Sequence, residues 1–194
     1  MAAPRFVSHR LGPAGAEHTL ELYLDYVCPF SAKIARSVHD KLLPLLKDGQ
    51  LSIVFRQTPQ PWHASSTLVH EAGIAVSRLA PSRFWTFSNA LFEHQAEFFD
   101  EPCADEAPSK TRIRLADLAV KSAGVDKYQF LDLVTTGKGN GGSKVTNDLK
   151  LQIKLGRQNG IHVTPTAVLD GLIDGSVSSS FDTDDWREWL KKLS

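Results

Sequence analysis

The chain has 194 residues, 42% hydrophobic and 23% charged, with 22 Lys and Arg balanced by 22 Asp and Glu. That is the size of one domain able to bury a core without disulfide or metal staples, and two cysteines make no disulfide framework. Zero net charge without a Lys/Arg cluster removes the footprint of a nucleic-acid binder, and no apolar run is long enough for a membrane span, so neither nucleic acid nor membrane is an expected partner.

Residues 1–18 read as a leader. Met1 to Ala16 lacks the apolar core and cleavage site of a secretory signal, which makes the cytoplasm the expected compartment. Its acid-free stretch with Arg5 and Arg10 leaves a transit peptide as the alternative.

Thr19 to Val27 alternates Leu20, Leu22, Leu24 and Tyr26 with Glu21, Tyr23 and Asp25, the period of a strand. It runs into Cys28-Pro29-Phe30-Ser31. Ile34, Ala35, Val38, Leu42 and Leu45 then recur at helical spacing, with Pro29 suited to a first turn and Pro44 placed to kink the helix before Gly49. Leu51 to Gln57 is a second strand, so residues 19–57 form a βαβ unit with parallel strands.

A helical region follows. Ser66 to Leu79 and Arg83 to His94 carry apolar faces separated by Pro81, Ile113 to Ala123 and Tyr128 to Val134 carry two more, and Ser143 is placed to cap a helix that runs to Asn159. Gly137 to Gly142 satisfies G-x-G-x-x-G by letter but follows a helix, so it is a connection and not a phosphate loop. Strands return where Ile161 to Thr166 leads into Ala167-Val168-Leu169, Asp170-Gly171 between that triplet and Leu172-Ile173-Asp174 signals a hairpin, and Asp184 to Leu193 closes the chain as a helix.

The cysteine thus stands where a strand hands over to a helix. Unpaired N–H groups and the macrodipole at a helix start favour a thiolate, and cysteines so placed have thiol pKa values lowered from about 8.5 to about 3.5–7.5. The alternative is a small buried apolar residue. Cys103, in the acidic stretch Asp100 to Glu106, is either a resolving thiol for Cys28 or an incidental one, and its carboxylates are expected to slow it. His63 sits near the start of the helical region, with a cap or surface role weighed against one at the active face. His39, His70, His94 and His162 show no ligand spacing, and no metal is expected.

These features together resemble the DsbA-like branch of the thioredoxin superfamily. Cys28-Pro29-Phe30-Ser31 stands at the C-x-x-C position and Thr164-Pro165 at the cis-proline position. Phe55 to Pro59 followed by His63, Phe84-Trp85 with Leu91-Phe92 through Gln95, and Gly160 to Thr166 are similar to family segments, over residues 19–193. The resemblance implies an α/β thioredoxin fold, its core in residues 19–65 and 159–194, with a helical insert at 66–158. It implies Cys28 and Ser31 as the catalytic pair, with Pro29, Phe30, Val163, Thr164 and Pro165 against the substrate.

Ser31 departs from the family, because a hydroxyl cannot expel a bound thiol as a second thiolate does. Dithiol chemistry through this motif is excluded. Monothiol exchange remains, with Ser31 or a helix N–H bonded to the Cys28 thiolate and glutathione or another small thiol or disulfide as co-substrate; no tightly bound cofactor is expected. Kappa-class glutathione transferases and 2-hydroxychromene-2-carboxylate isomerases share the insert and a serine in the loop. They supply a second reading, and a non-catalytic binding module supplies a third. Monomer and homodimer are not separated by the sequence.

Overall fold

A computed structural model describes residues 4–193. Its strands are β1 (Arg10–Leu11), β2 (His18–Leu24), β3 (Leu51–Gln57), β4 (Thr166–Leu169) and β5 (Leu172–Ile173), joined in one sheet of order β1-β3-β2-β4-β5. β2 and β3 run parallel with Leu22 opposite Phe55, as the βαβ reading requires. β4 lies antiparallel on the other side of β2, Tyr23 opposite Thr166. The β4–β5 turn is Asp170 (φ 48°) and Gly171 (φ 88°), two left-handed residues that an Asp-Gly pair accepts at low cost.

Part of the segment read as a leader belongs to this fold. A kinked 3-10 stretch, Pro4–His9, buries Phe6 and His9, and the His9 ring stacks on Phe84 with centroids 4.0 Å apart. β1 then pairs antiparallel with β3, Arg10 opposite Val54. Two residues are too few to show a period, so this edge strand has no sequence signature. Residues 1–3 of the leader and residue 194 lie outside the described residues.

Both faces of the sheet are covered. Leu20, Leu22, Leu24, Ile53, Phe55 and Ala167 enter the main core. Tyr23 and Val168 pack with Ile161 on the other face, where Arg56 makes two hydrogen bonds to the carboxylate of Glu21 (3.0 and 2.5 Å). Burial alone would push the Glu21 carboxyl up; the Arg56 fork outweighs it and holds the group below its ordinary range.

The helix after Cys28 is shorter than its apolar pattern. α1 (Pro29–Ser37) passes into a π-type turn at Val38–Leu42 and a 3-10 turn at Leu43–Leu45, where Pro44 has no N–H to continue the ladder. The helical region comprises α2 (Ser66–Leu79), α3 (Phe84–Glu93), α4 (Asp100–Cys103), α5 (Pro108–Ala123), α6 (Lys127–Val134) and α7 (Thr146–Gln158). Phe55 joins it to the sheet, its ring 5.0 Å from Tyr26, 5.6 Å from Phe84 and 6.0 Å from Trp85. α8 (Thr183–Lys191) starts at an Asp182/Asp185 capping box, and the Trp186 indole N–H donates to Ser37 Oγ (2.8 Å). Among the described residues no helix is long and apolar enough to cross a membrane.

Ser143 does not cap α7. The helix begins at Thr146, and the hydroxyls of Ser143 (2.8 Å) and Thr146 (2.5 Å) both donate to Oε1 of the buried Glu71. A buried carboxylate needs those donors more than an exposed helix end does.

Candidate functional site

Cys28 is the N-cap residue of α1. Its backbone is extended (φ −84°, ψ 120°), its N–H donates to Asp25 O (3.1 Å), and its carbonyl accepts the first helical bond, from Ala32 N (3.1 Å). Pro29 takes the first helical position, where a missing N–H costs nothing. The Cys28 thiol donates to the carbonyl of Thr164 (3.4 Å), and the Thr164–Pro165 bond is cis, as the resemblance implied. Cys28 itself is only 8% exposed, while Phe30 (62%) and Val163 (59%) stand out into solvent beside it. The structure thus brings together Cys28, Pro29, Phe30, Val163, Thr164 and Pro165.

Ser31 does not join them. It is fully buried, its Oγ accepts the backbone N–H of Asp25 (3.2 Å), and no hydrogen bond links it to Cys28 Sγ among the described residues. The role expected of its hydroxyl on the thiolate is therefore corrected. One turn into a helix that faces the core, its side chain points beneath the loop and not toward Cys28 Sγ.

Beneath the loop lies a polar cluster that sequence reasoning missed. Asp25, with no exposed surface, accepts from Val27 N (3.1 Å), Gln60 N (2.9 Å) and Ser66 Oγ (2.9 Å), and its Oδ1 lies 3.3 Å from His70 Nε2. His70 Nδ1 in turn lies 2.9 Å from Gln57 Oε1. Burial pushes the Asp25 carboxyl up, and the hydrogen bonds of His70, Val27 and Gln60 outweigh it, leaving the group below its ordinary range. From the helical region Gln95 Nε2 donates to the carbonyls of Tyr26 (2.8 Å) and Cys28 (3.3 Å). The loop before Cys28 is held from three sides. One signal was available, the carboxylate of Asp25 just after β2 and three residues ahead of Cys28.

Cys103 ends α4 and is not bonded to Cys28. Arg114 Nη2 lies 3.6 Å from its sulfur and Glu106 Oε2 3.8 Å. Its thiol is raised chiefly by burial, with Glu106 adding and Arg114 opposing, so the neighbouring carboxylates are the lesser cause. His63 approaches Asp100 (3.4 Å), and both line a groove of about 460 Å³ beside Pro29, together with Phe99 and Glu101.

The thioredoxin sequence profile matches residues 6–192. The chain belongs to the thioredoxin family. Within it, the fold is the DsbA-like arrangement of a thioredoxin sheet with added helices. Similar solved structures include a protein-disulfide isomerase candidate from Pseudomonas syringae (23% identity, 98% of this chain and 99% of that one, TM-score 0.79). Others are the thiol-disulfide exchange protein alpha-DsbA2 from Wolbachia pipientis (22%, 95% and 86%, 0.68) and BdbD from Bacillus subtilis (20%, 95% and 91%, 0.67). No match to a curated protein sequence was found. At these identities the structural likeness carries the thioredoxin fold, and the chemistry rests on the site itself.

Proposed function

We propose that this thioredoxin-family protein carries out thiol-disulfide exchange through the single sulfur of Cys28, with glutathione as the resolving thiol. The observation that carries this reading is the placement of Cys28 Sγ at the start of α1, 3.4 Å from the carbonyl that precedes cis-Pro165, with a serine where a second thiol would stand. In the exchange, the Cys28 thiolate attacks one sulfur of a disulfide, the S–S bond breaks, and the other sulfur leaves with the electron pair. Glutathione thiolate then attacks Cys28 Sγ and the substrate sulfur leaves as thiolate; a second glutathione thiolate attacks the glutathione sulfur, releasing glutathione disulfide and the Cys28 thiolate. Thr164 offers its backbone beside the reacting sulfurs, where an extended substrate can pair by strand addition. This chemistry needs a glutathione pool, so a reducing, cytoplasmic setting is part of the proposal.

The transferase or isomerase reading has less support. It would use Ser31 or Cys28 to activate the sulfur of bound glutathione, yet the Ser31 side chain is fully buried beneath the loop, its Oγ accepting from Asp25 N–H.

The test is mass spectrometry of the Cys103→Ala protein after exposure to oxidised glutathione. A glutathione adduct on Cys28 that reduced glutathione removes, and that Cys28→Ser abolishes, is the expected result. Absence of the adduct overturns the exchange reading in favour of a binding module.

A further inference from the structure

A second cleft, of about 220 Å³, adjoins the segment that leads to cis-Pro165. It lies between the loop after β3 and the C-terminal part of α7, and its lining includes Gln60, Trp62, Ile153, Arg157, Ile161 and His162. Trp62 is 60% exposed, and Arg157 and His162 are exposed beside it. No acidic side chain lines the cleft, and among the described residues no carboxylate lies within ion-pair distance of Arg157 or of Lys154 one turn earlier. The groove beside Pro29 has the opposite character, with Asp100 and Glu101 in its wall. The adjacent residues Trp62 and His63 divide the two, one in each lining.

We propose that the Arg157–His162 cleft takes the carboxylate end of the thiol co-substrate and so sets the direction in which glutathione lies across Cys28. This rests on the exchange reading above and deepens it. His162 is two residues from Thr164, at most about 7 Å of extended chain, which is also about the reach from the sulfur of a cysteinyl-glycine unit to its terminal carboxylate. The guanidinium of Arg157 offers a carboxylate two parallel N–H donors, and no acidic partner among the described residues commits it. Trp62, Ile153 and Ile161 supply an apolar wall for the peptide between sulfur and carboxylate. In the other groove the same carboxylate would face Asp100 and Glu101, a like-charge placement that disfavours the reversed direction.

The experiment starts from the Cys103→Ala protein with Cys28 loaded as a mixed disulfide with pyridine-2-thiol. The attacking thiolate bonds to Cys28 Sγ, the bond to the pyridyl sulfur breaks, and pyridine-2-thione leaves and is read by absorbance. Rates are measured with glutathione and with neutral 2-mercaptoethanol, and the ratio of the two is the readout. Arg157→Glu is expected to lower that ratio by about tenfold, the size of one charge-assisted contact, and Arg157→Lys to retain most of it. A ratio unchanged by Arg157→Glu overturns the cleft assignment and leaves exchange at Cys28 standing. Failure of glutathione to discharge the unsubstituted Arg157 protein overturns both.

Discussion

Asp25 Oδ1 and His70 Nε2 stand 3.3 Å apart with neither side chain exposed, and the same carboxylate holds the N–H groups of Val27 and Gln60. Removing it by Asp25→Ala leaves these donors unpaired in the interior, an expected loss of about 3–5 kcal/mol. Because the folded-state carboxyl lies below its ordinary value, its contribution is complete above the unfolded pKa of about 3.9 and is lost as pH falls through the folded value. Urea midpoints measured between about pH 5 and 2 should therefore fall less steeply in Asp25→Asn than in the parent. Identical acid limbs would count against this role.

Gln95 reaches from the helical region to the carbonyls of Tyr26 and Cys28, bonds that bear on the shape of the loop more than on global packing. Gln95→Leu should cost about 1–3 kcal/mol, chiefly through the buried Tyr26 carbonyl left unpaired, since the Cys28 carbonyl keeps the N–H of Ala32. It should also change the alkylation rate of Cys28 while circular dichroism stays native. An unaltered alkylation rate would show that Gln95 only fills space.

Ser31→Cys restores a second thiol one helical turn from Cys28. Side chains so spaced on a helix have Cβ atoms about 5–6 Å apart against about 3.5–4.5 Å in a disulfide, so closure requires the residue at 31 to turn out from beneath the loop. Thiol titration after mild oxidation should show both sulfurs consumed in Cys103→Ala/Ser31→Cys. The substitution also weakens the acceptor for Asp25 N–H, so the reduced form should be less stable than the parent by about 1 kcal/mol.

His9 is buried against Phe84, and burial lowers its pKa from 6.5 to about 3. Unfolded chains take up a proton near pH 6.5 that the native state refuses, so stability is complete above that pH and is lost on acidification toward pH 3, by about 1.4 kcal/mol per unit. Between pH 7.5 and 5 this group alone should cost about 2 kcal/mol. His9→Phe keeps the ring stack, and chemical denaturation at the two pH values should show that this part of the slope is gone. A slope that survives would place the titration elsewhere.

Much of the fold was legible because period and turn chemistry are local. The strand at Leu51–Gln57, the helix at Ser66–Leu79 and the Asp170-Gly171 hairpin each announce themselves within a short window. Cys28 at a helix start and the cis-proline were legible through position in that plan. Relationships across the chain were not. Asp25 and His70 are 45 residues apart and look like an ordinary strand residue and an ordinary helix residue until the sheet and α2 meet. The spacing of Ser31 from Cys28 suggests company with the sulfur, whereas the direction of the first turn of α1 sends it to Asp25. The edge strand at Arg10–Leu11 pairs with β3, and no pattern within two residues records a partner 42 or more positions away.

The carbonyl that meets the Cys28 thiol belongs to Thr164, 136 residues later in the chain. At ribosomal speeds of about 5–20 residues per second, Cys28 is made on the order of 10 seconds before that neighbour exists. Throughout that interval the nascent polypeptide carries a thiol whose finished surroundings are not yet synthesised. The contact between the Cys28 thiol and the Thr164 carbonyl is therefore acquired only after residue 164 has been made.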